Sequence, residues 1–378
     1  MCFGGAPDVV RDLCKKNWEK FHSLRSQHAV QIASPFRLAR LKPGKAISDP
    51  DLLERAHGCL LGQVAGDALG AQVEFEGASS IHKMHPEGLR SIDSGGPWNT
   101  MAGQPTDDSE LALLLARSIV GEGSYKPEKV AEAYCHWFHD SHPFDVGDTI
   151  RMALSRISPD QVRAGYAAEI ISANASQESQ SNGSLMRISP LGIYGYQMPV
   201  EQLWQLACEE SQLTHPHPVC RQACALFTTA IARAVRTGCS AGQIYEEAVK
   251  LAEKQSVDPL LQRALERAAD QRPDYSTQPG WVLVAFQNAF YELLHSKSLE
   301  EALVATVMQG GDTDTNAAIA GSLLGAVHGR NAIPDRWKKM VLSCRPHVLV
   351  GARQPRPFWF WPVDLPNLAE LLLLCGNP

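Results

Sequence analysis

The sequence predicts an all-α fold. Three observations carry that reading. Apolar residues recur at three- and four-residue spacing through most of the 378-residue chain, few runs alternate with period two, and two helical runs carry a small residue at every fourth position. With 44% hydrophobic and 20% charged residues, the composition is that of a globular chain able to bury a large core. Nothing approaches eighteen consecutive apolar residues, so no membrane span is expected. Residues 1–8 lack the basic start and apolar core of a signal peptide. The ten cysteines are scattered with no Cys-x-x-Cys pair, which argues against a zinc ribbon or a disulfide framework. Reduced thiols and a cytoplasmic setting are the expectation.

Taken in order, residues 8–32 suit one amphipathic helix, with Val9, Leu13, Trp18, Phe21 and Leu24 spaced among charges. Pro35, Pro43, Gly44 and Pro50 mark residues 33–50 as a linker. The division is therefore residues 1–50 as an extension and 51–378 as the main domain. Although the net charge is −6, residues 1–50 carry nine Lys/Arg against four acids. A basic arm on an acidic body suits an acidic partner surface, docking onto its own body, or a solvated extension. Such an arm is weak support for nucleic-acid binding, which the acidic body disfavours. Helices are expected at 52–70, 109–121, 129–138, 203–211, 219–237, 241–255, 259–269, 281–294, 299–307, 316–329 and 335–342. Irregular loops are expected at about 75–105, 139–148 and 173–185.

The first of these helices carries Gly58, Gly62, Gly66 and Gly70; a late one carries Ala317, Gly321, Gly325 and Gly329. Each interior glycine costs about 1 kcal/mol of helix propensity against alanine. A whole row is therefore expected only where another backbone approaches closely, and the two rows suit packing against each other.

Two acidic clusters stand out, Thr106-Asp107-Asp108-Ser109 and Asp312-Thr313-Asp314-Thr315. Each one alone also reads as a helix start, with Asp107 at a cap three residues before Glu110, or Asp314 capping a helix that begins at Thr315. Taken together, they offer four carboxylates and neutral threonine oxygens. Such an all-oxygen set suits hard divalent cations, and four carboxylates would balance two of them.

Four blocks then carry a resemblance, at residues 58–75 (GCLLGQVAGDALGAQVEF), 104–111 (QPTDDSEL), 181–192 (SNGSLMRISPLG) and 310–325 (GGDTDTNAAIAGSLLG). In order and spacing the chain resembles the ADP-ribosylglycohydrolase family. The resemblance implies a multi-helix domain with a dinuclear Mg2+ or Mn2+ cleft, and Thr106, Asp107, Asp108, Asp312, Asp314 and Thr315 as metal ligands. It implies hydrolysis of the bond between ADP-ribose and a protein side chain. Glu74 matches a glutamate near the metals in relatives, Ser181, Asn182, Gly183 and Ser184 match a loop lining the ADP-ribose site, and His215 matches a histidine beside the ligand. Within Pro143-Phe144-Asp145-Val146-Gly147-Asp148-Thr149, Asp145, or else Asp148, matches a carboxylate of arginine-specific hydrolases, a block that relatives acting on serine linkages or polymers lack. Some relatives act as immunity proteins against ADP-ribosyltransferase toxins, which makes such a toxin a candidate partner for residues 1–50. The alternatives are a hydrolase of serine-linked or small ADP-ribosyl substrates, or a protein that only binds and blocks.

Overall fold

The two glycine-bearing helices, Pro50–Gly70 and Thr313–His328, run antiparallel against each other in the centre of the molecule. Gly58 faces Gly325, Gly62 faces Gly321, Gly66 faces Ala317 and Gly70 faces Asp314. A Cβ added at Gly62 would overlap the Gly321 carbonyl oxygen, and one at Gly70 would overlap the backbone of Asp314. The glycine rows are thus the contact surface between two backbones. The other faces of both helices are also buried, through Leu60, Leu61, Val64, Leu69, Ile319, Leu323 and Leu324. Apolar residues all round are what a central helix requires.

This computed structural model describes residues 47–376, and among them no β-strand forms; only isolated bridge pairs occur, such as Gly77 with Gly310 and Ser181 with Trp281. The expected arm and its amphipathic stretch at 8–32 lie outside the described residues. Val282–His295 and Leu299–Val307 pack on one side of the central pair, and Leu365–Cys375 packs on the other. Val200–Gln212, Pro218–Thr237 and Ala241–Gln255 form an adjoining layer. The expected long helices are all present, with ends shifted by a few residues. Five helices fall where none was expected: Asp148–Leu154, Pro159–Arg163, Ala167–Asn174, Ser189–Tyr194 and Leu365–Cys375. Most are too short to show a period. Pro159–Arg163, for example, is set by a Ser158/Gln161 capping box rather than by an apolar stripe. A further short helix, Ala78–Met84, interrupts the loop expected over 75–105.

Buried ion pairs fasten the C-terminal segment to the helix Asp107–Glu122. Arg117 makes a two-pronged pair with Asp364 at 2.7 and 2.8 Å. Arg356 pairs with Glu110, both contacts at 2.7 Å, and also donates to the Ser141 and His142 carbonyls at 2.6 and 3.2 Å. One guanidinium therefore joins the helix that begins at Asp107 to the loop that leads to Asp145.

The seam predicts opposite outcomes for two glycine substitutions. Gly62→Val should destabilise the fold by about 3 kcal/mol or more, because the opposing backbone cannot yield. Gly242→Ala, where an added Cβ meets nothing, should be neutral or stabilise by up to about 1 kcal/mol. Thermal or urea unfolding of the two variants would show the contrast.

Candidate functional site

The central seam sets the floor of a cavity of about 650 Å³. It brings the last turn of Pro50–Gly70 onto the first turn of Thr313–His328, where the Thr313 hydroxyl donates to the Gly70 carbonyl at 2.8 Å. The N-terminus of Asp107–Glu122 arrives at the same point. Two helix N-termini therefore face one cluster of carboxylates, and their partial positive charge favours anions there.

Neither helix start is capped in the expected way. Asp107 lies inside its helix, with Thr106 at the N-cap and no side-chain cap bond. Asp314 also lies inside, behind Asp312 at the N-cap. At the start of Asp107–Glu122 the reason is Asp67, a residue not singled out above. Its buried carboxylate accepts from the Thr106 and Ser109 backbone N–H groups at 3.2 Å and from the Ser109 hydroxyl at 2.5 Å. The first helix thus caps the second from outside, freeing Asp107 and Asp108 for other partners. The signal for Asp67 was a charged residue within the run 58–70, where Gln63 is the one other polar side chain.

The cluster divides into two overlapping groups. Asp67, Asp108 and Asp314 each offer an oxygen within 4.8 Å of the others, as do Glu74, Asp312 and Asp314. Asp314 belongs to both. The Thr106 hydroxyl lies 3.0 Å and the Thr315 hydroxyl 3.3 Å from Asp108 Oδ2. Asp108 Oδ1 is buried with no hydrogen-bond partner, which a protein tolerates poorly unless a cation takes the place of one. The donor set consists of oxygens throughout, the type that holds hard divalent cations.

Burial and mutual repulsion raise the protonation range of these carboxyls. Asp107 is pushed up to about 7, chiefly by burial. Glu74 rises to about 8, by burial and then by Asp145, against the opposing effect of a 2.7 Å bond from the Trp98 indole. Asp145, half-buried beside Asp107, rises to about 9 through burial and the surrounding acids. Asp108 and Asp314 are pushed well above the usual carboxylate range, again chiefly by burial.

Most of the other expected residues line the cavity. The Asn182 amide donates to Asp312 at 2.7 Å. Ser181 Oγ lies 2.9 Å from His215 Nε2 and donates to Thr149 at 3.0 Å. His215 is fully buried, and burial, with Arg187 nearby, holds it well below the ordinary histidine range. Gly183 packs against the His215 ring. Asp148 stands exposed at the rim. One expectation needs correction. Ser184 turns away from the cavity into the core, where it receives a bond from Ser211 at 2.9 Å. Within the loop expected over 173–185, Asn182–Ser184 forms a buried 3-10 turn, and the Asn182 N–H is bonded to the Gly280 carbonyl at 3.0 Å. Besides Asp67, three aromatic residues were missed, Phe75, Trp98 and Phe144, all on the cavity wall.

The family model for ADP-ribosylglycohydrolase matches residues 48–355. The chain belongs to the ADP-ribosylglycohydrolase family. As a member it is a hydrolase of glycosidic bonds. It is 29% identical to the ADP-ribosyl-[dinitrogen reductase] glycohydrolase of Rhodospirillum rubrum, over 77% of this chain and 91% of that protein. It is 27% identical to the ADP-ribosylarginine hydrolase Tri1 of Pseudomonas putida, over 76% of this chain and 74% of that one. A solved ADP-ribosylglycohydrolase-related protein complex contains a chain that superposes with a TM-score of 0.67 at 26% identity, covering 86% of this chain and 99% of its own length. The acidic floor of this family member is thus a group of carboxylates able to hold metal ions.

Two predictions follow from the cluster. Because carboxyls with raised protonation ranges must ionise to hold a cation, divalent-ion binding at pH 7 should release protons, and affinity should rise from pH 6 to 9. In the metal-free protein the same groups lower stability as pH climbs from the ordinary carboxylate range through about 9, since their folded-state values lie above their unfolded ones. Calorimetry in buffers of different ionisation enthalpy reads the proton count, and melting curves from pH 5 to 9 with and without Mg2+ read the stability. Separately, Asp67→Ala strands the Thr106 and Ser109 donors and should weaken divalent-ion affinity by about 10–100-fold. Ion titration followed by thermal shift measures it.

Proposed function

We propose that this chain removes ADP-ribose from modified proteins, with arginine as the preferred acceptor, using two Mg2+ ions or their Mn2+ equivalents. The observation that carries the reading is the convergence of Asp107, Asp108, Asp312 and Asp314, from distant parts of the chain, on the floor of a cavity whose wall holds Asp145 and Glu74. Thr106, Asp107, Asp108, Asp312, Asp314 and Thr315 would hold the ions. Bound there, the ions would supply charge to orient the ribose hydroxyls and acidify a water.

The chain's own residues account for the other requirements. Ser181, Asn182, Gly183 and His215 shape the wall on which the nucleotide part would lie. Breaking the ribose C1–N bond builds positive charge on the ring, which the surrounding carboxylates favour. Water adds its oxygen to C1, and one of its protons ends on the departing nitrogen. Glu74 and Asp145 are the carboxyls placed on the wall to accept and return that proton. Asp148, exposed at the rim, is less suited to the step. The arginine preference draws support from the segment holding Asp145 and from similarity to the Tri1 hydrolase.

A second role rests on the charge of residues 1–50, nearly all of which precede the family match. As a separate basic arm attached to a catalytic domain at 51–378, they suit binding and occlusion of an anionic cleft such as that of an ADP-ribosyltransferase toxin.

Incubating the protein with arginine-linked and serine-linked ADP-ribosylated substrates, with and without Mg2+, tests the main reading. Release should require the metal, favour the arginine linkage, and vanish in Asp107→Ala and Asp312→Ala. Asp145→Asn should lower kcat by about 100-fold or more while leaving the fold intact. Full activity in both alanine variants would refute the mechanism.

A further inference from the structure

Glu74 and Asp145 share the cavity wall with an aromatic collar that bond hydrolysis itself does not require. Phe75, Trp98 and Phe144 all line the cavity. Ring centroids of Phe75 and Trp98 lie 6.3 Å apart at 75°, and those of Trp98 and Phe144 lie 6.1 Å apart at 55°. Trp98, in the middle, also donates its indole N–H to Glu74 at 2.7 Å.

The collar is not explained by packing. Phe75 is 68% exposed, on a fold that buries most of its large apolar side chains. Its backbone has a φ of 67°, a region bulky residues seldom adopt and keep only where neighbours enforce it. The enforcing contacts are two backbone bonds to the loop before Asp312. Phe75 N–H donates to the Gly311 carbonyl at 2.9 Å, and Gly311 N–H donates to the Glu76 carbonyl at 2.9 Å. The chain thus holds an exposed ring in a strained conformation, tied to the segment that carries the acidic cluster. Strain of this kind gathers at binding sites.

We propose that Phe75, Trp98 and Phe144 form the acceptor-recognition surface, receiving a planar cationic guanidinium group on their ring faces beside Glu74 and Asp145. This rests on the arginine-directed reading above. A guanidinium is flat, delocalised and weakly hydrated, so it stacks on aromatic faces while its edge donates hydrogen bonds to carboxylates. The collar offers both partners within one wall. A serine-linked acceptor, neutral and lacking a π-stacking plane, gains neither contact. The collar therefore governs which linkage is taken, and its energy appears in binding more than in the bond-breaking step.

The test uses Phe75→Leu and Phe144→Leu, which keep apolar bulk and remove the π face. Melting temperatures confirm that both variants fold, and steady-state kinetics are then measured on arginine-linked and serine-linked substrates, with inhibition by free ADP-ribose measured alongside. The expected result is about a tenfold fall in kcat/KM on the arginine linkage, expressed mainly in KM, with ADP-ribose inhibition and serine-linked turnover within about twofold of wild type. Equal losses for both linkages, together with weaker ADP-ribose inhibition, would assign the rings to the nucleotide and overturn the proposal. Unchanged KM on the arginine linkage in both variants would overturn it while leaving the arginine reading intact. Wild-type protein inert toward the arginine linkage would overturn both.

Discussion

Backbone-to-backbone contact between Pro50–Gly70 and Thr313–His328 is the constraint on which the rest of the structure depends. Two helices normally keep eight to ten ångströms apart because side chains intervene. Here glycine and alanine remove the intervening atoms, and carbonyl oxygens of one helix occupy the space a Cβ would take on the other. The seam therefore allows little sliding or rotation. Its end, where Gly70 meets Asp314, is where the carboxylates gather, so packing precision is transmitted directly to the cluster.

Concentrating so many buried acids in one place is unfavourable without compensation. Helix N-termini supply part of it, and Asn182, Gly147 and Trp98 donate into the cluster from three sides. One permanent cation, Arg151, stands on the cavity wall, and two others are held further back. Arg356 grips the helix that begins at Asp107 through Glu110, that helix's own Arg117 pairs with Asp364 of the C-terminal segment, and neither arginine lines the cavity. These two buried arginines thus brace the scaffold and leave the cavity floor negative, as a cation-holding site requires.

The all-α class and the glycine contact were legible because helical period and fourfold spacing are local patterns, and the long helices from Pro50–Gly70 to Asp335–Ser343 show them clearly. The short helices between 148 and 174 were not legible, since seven or eight residues hold too little periodicity. The pairing of the two acidic segments followed from charge: either alone is a helix start, but both together call for a counter-ion. Asp67 escaped notice because its importance lies in whose backbone it caps, which only the tertiary arrangement shows. Ser184 was misplaced for the related reason that a polar residue in a matching loop can point either way, and here Ser211 and Cys224 draw it inward. The aromatic collar joins residues from three separate loops, a proximity with no sequence signature.

The seam also governs when the protein can fold. Its two halves are the first and one of the last long helices of the described chain, separated by some 240 residues, and Arg356 comes later still. During synthesis the first helix emerges with its glycine face and apolar flanks unmatched, and its partner follows only after most of the chain has left the ribosome. Closing so long a loop is slow, and unpaired apolar surface invites aggregation meanwhile. The acidic cluster is therefore assembled near the end of folding rather than at its start, and metal would find a complete set of ligands only in nearly finished molecules.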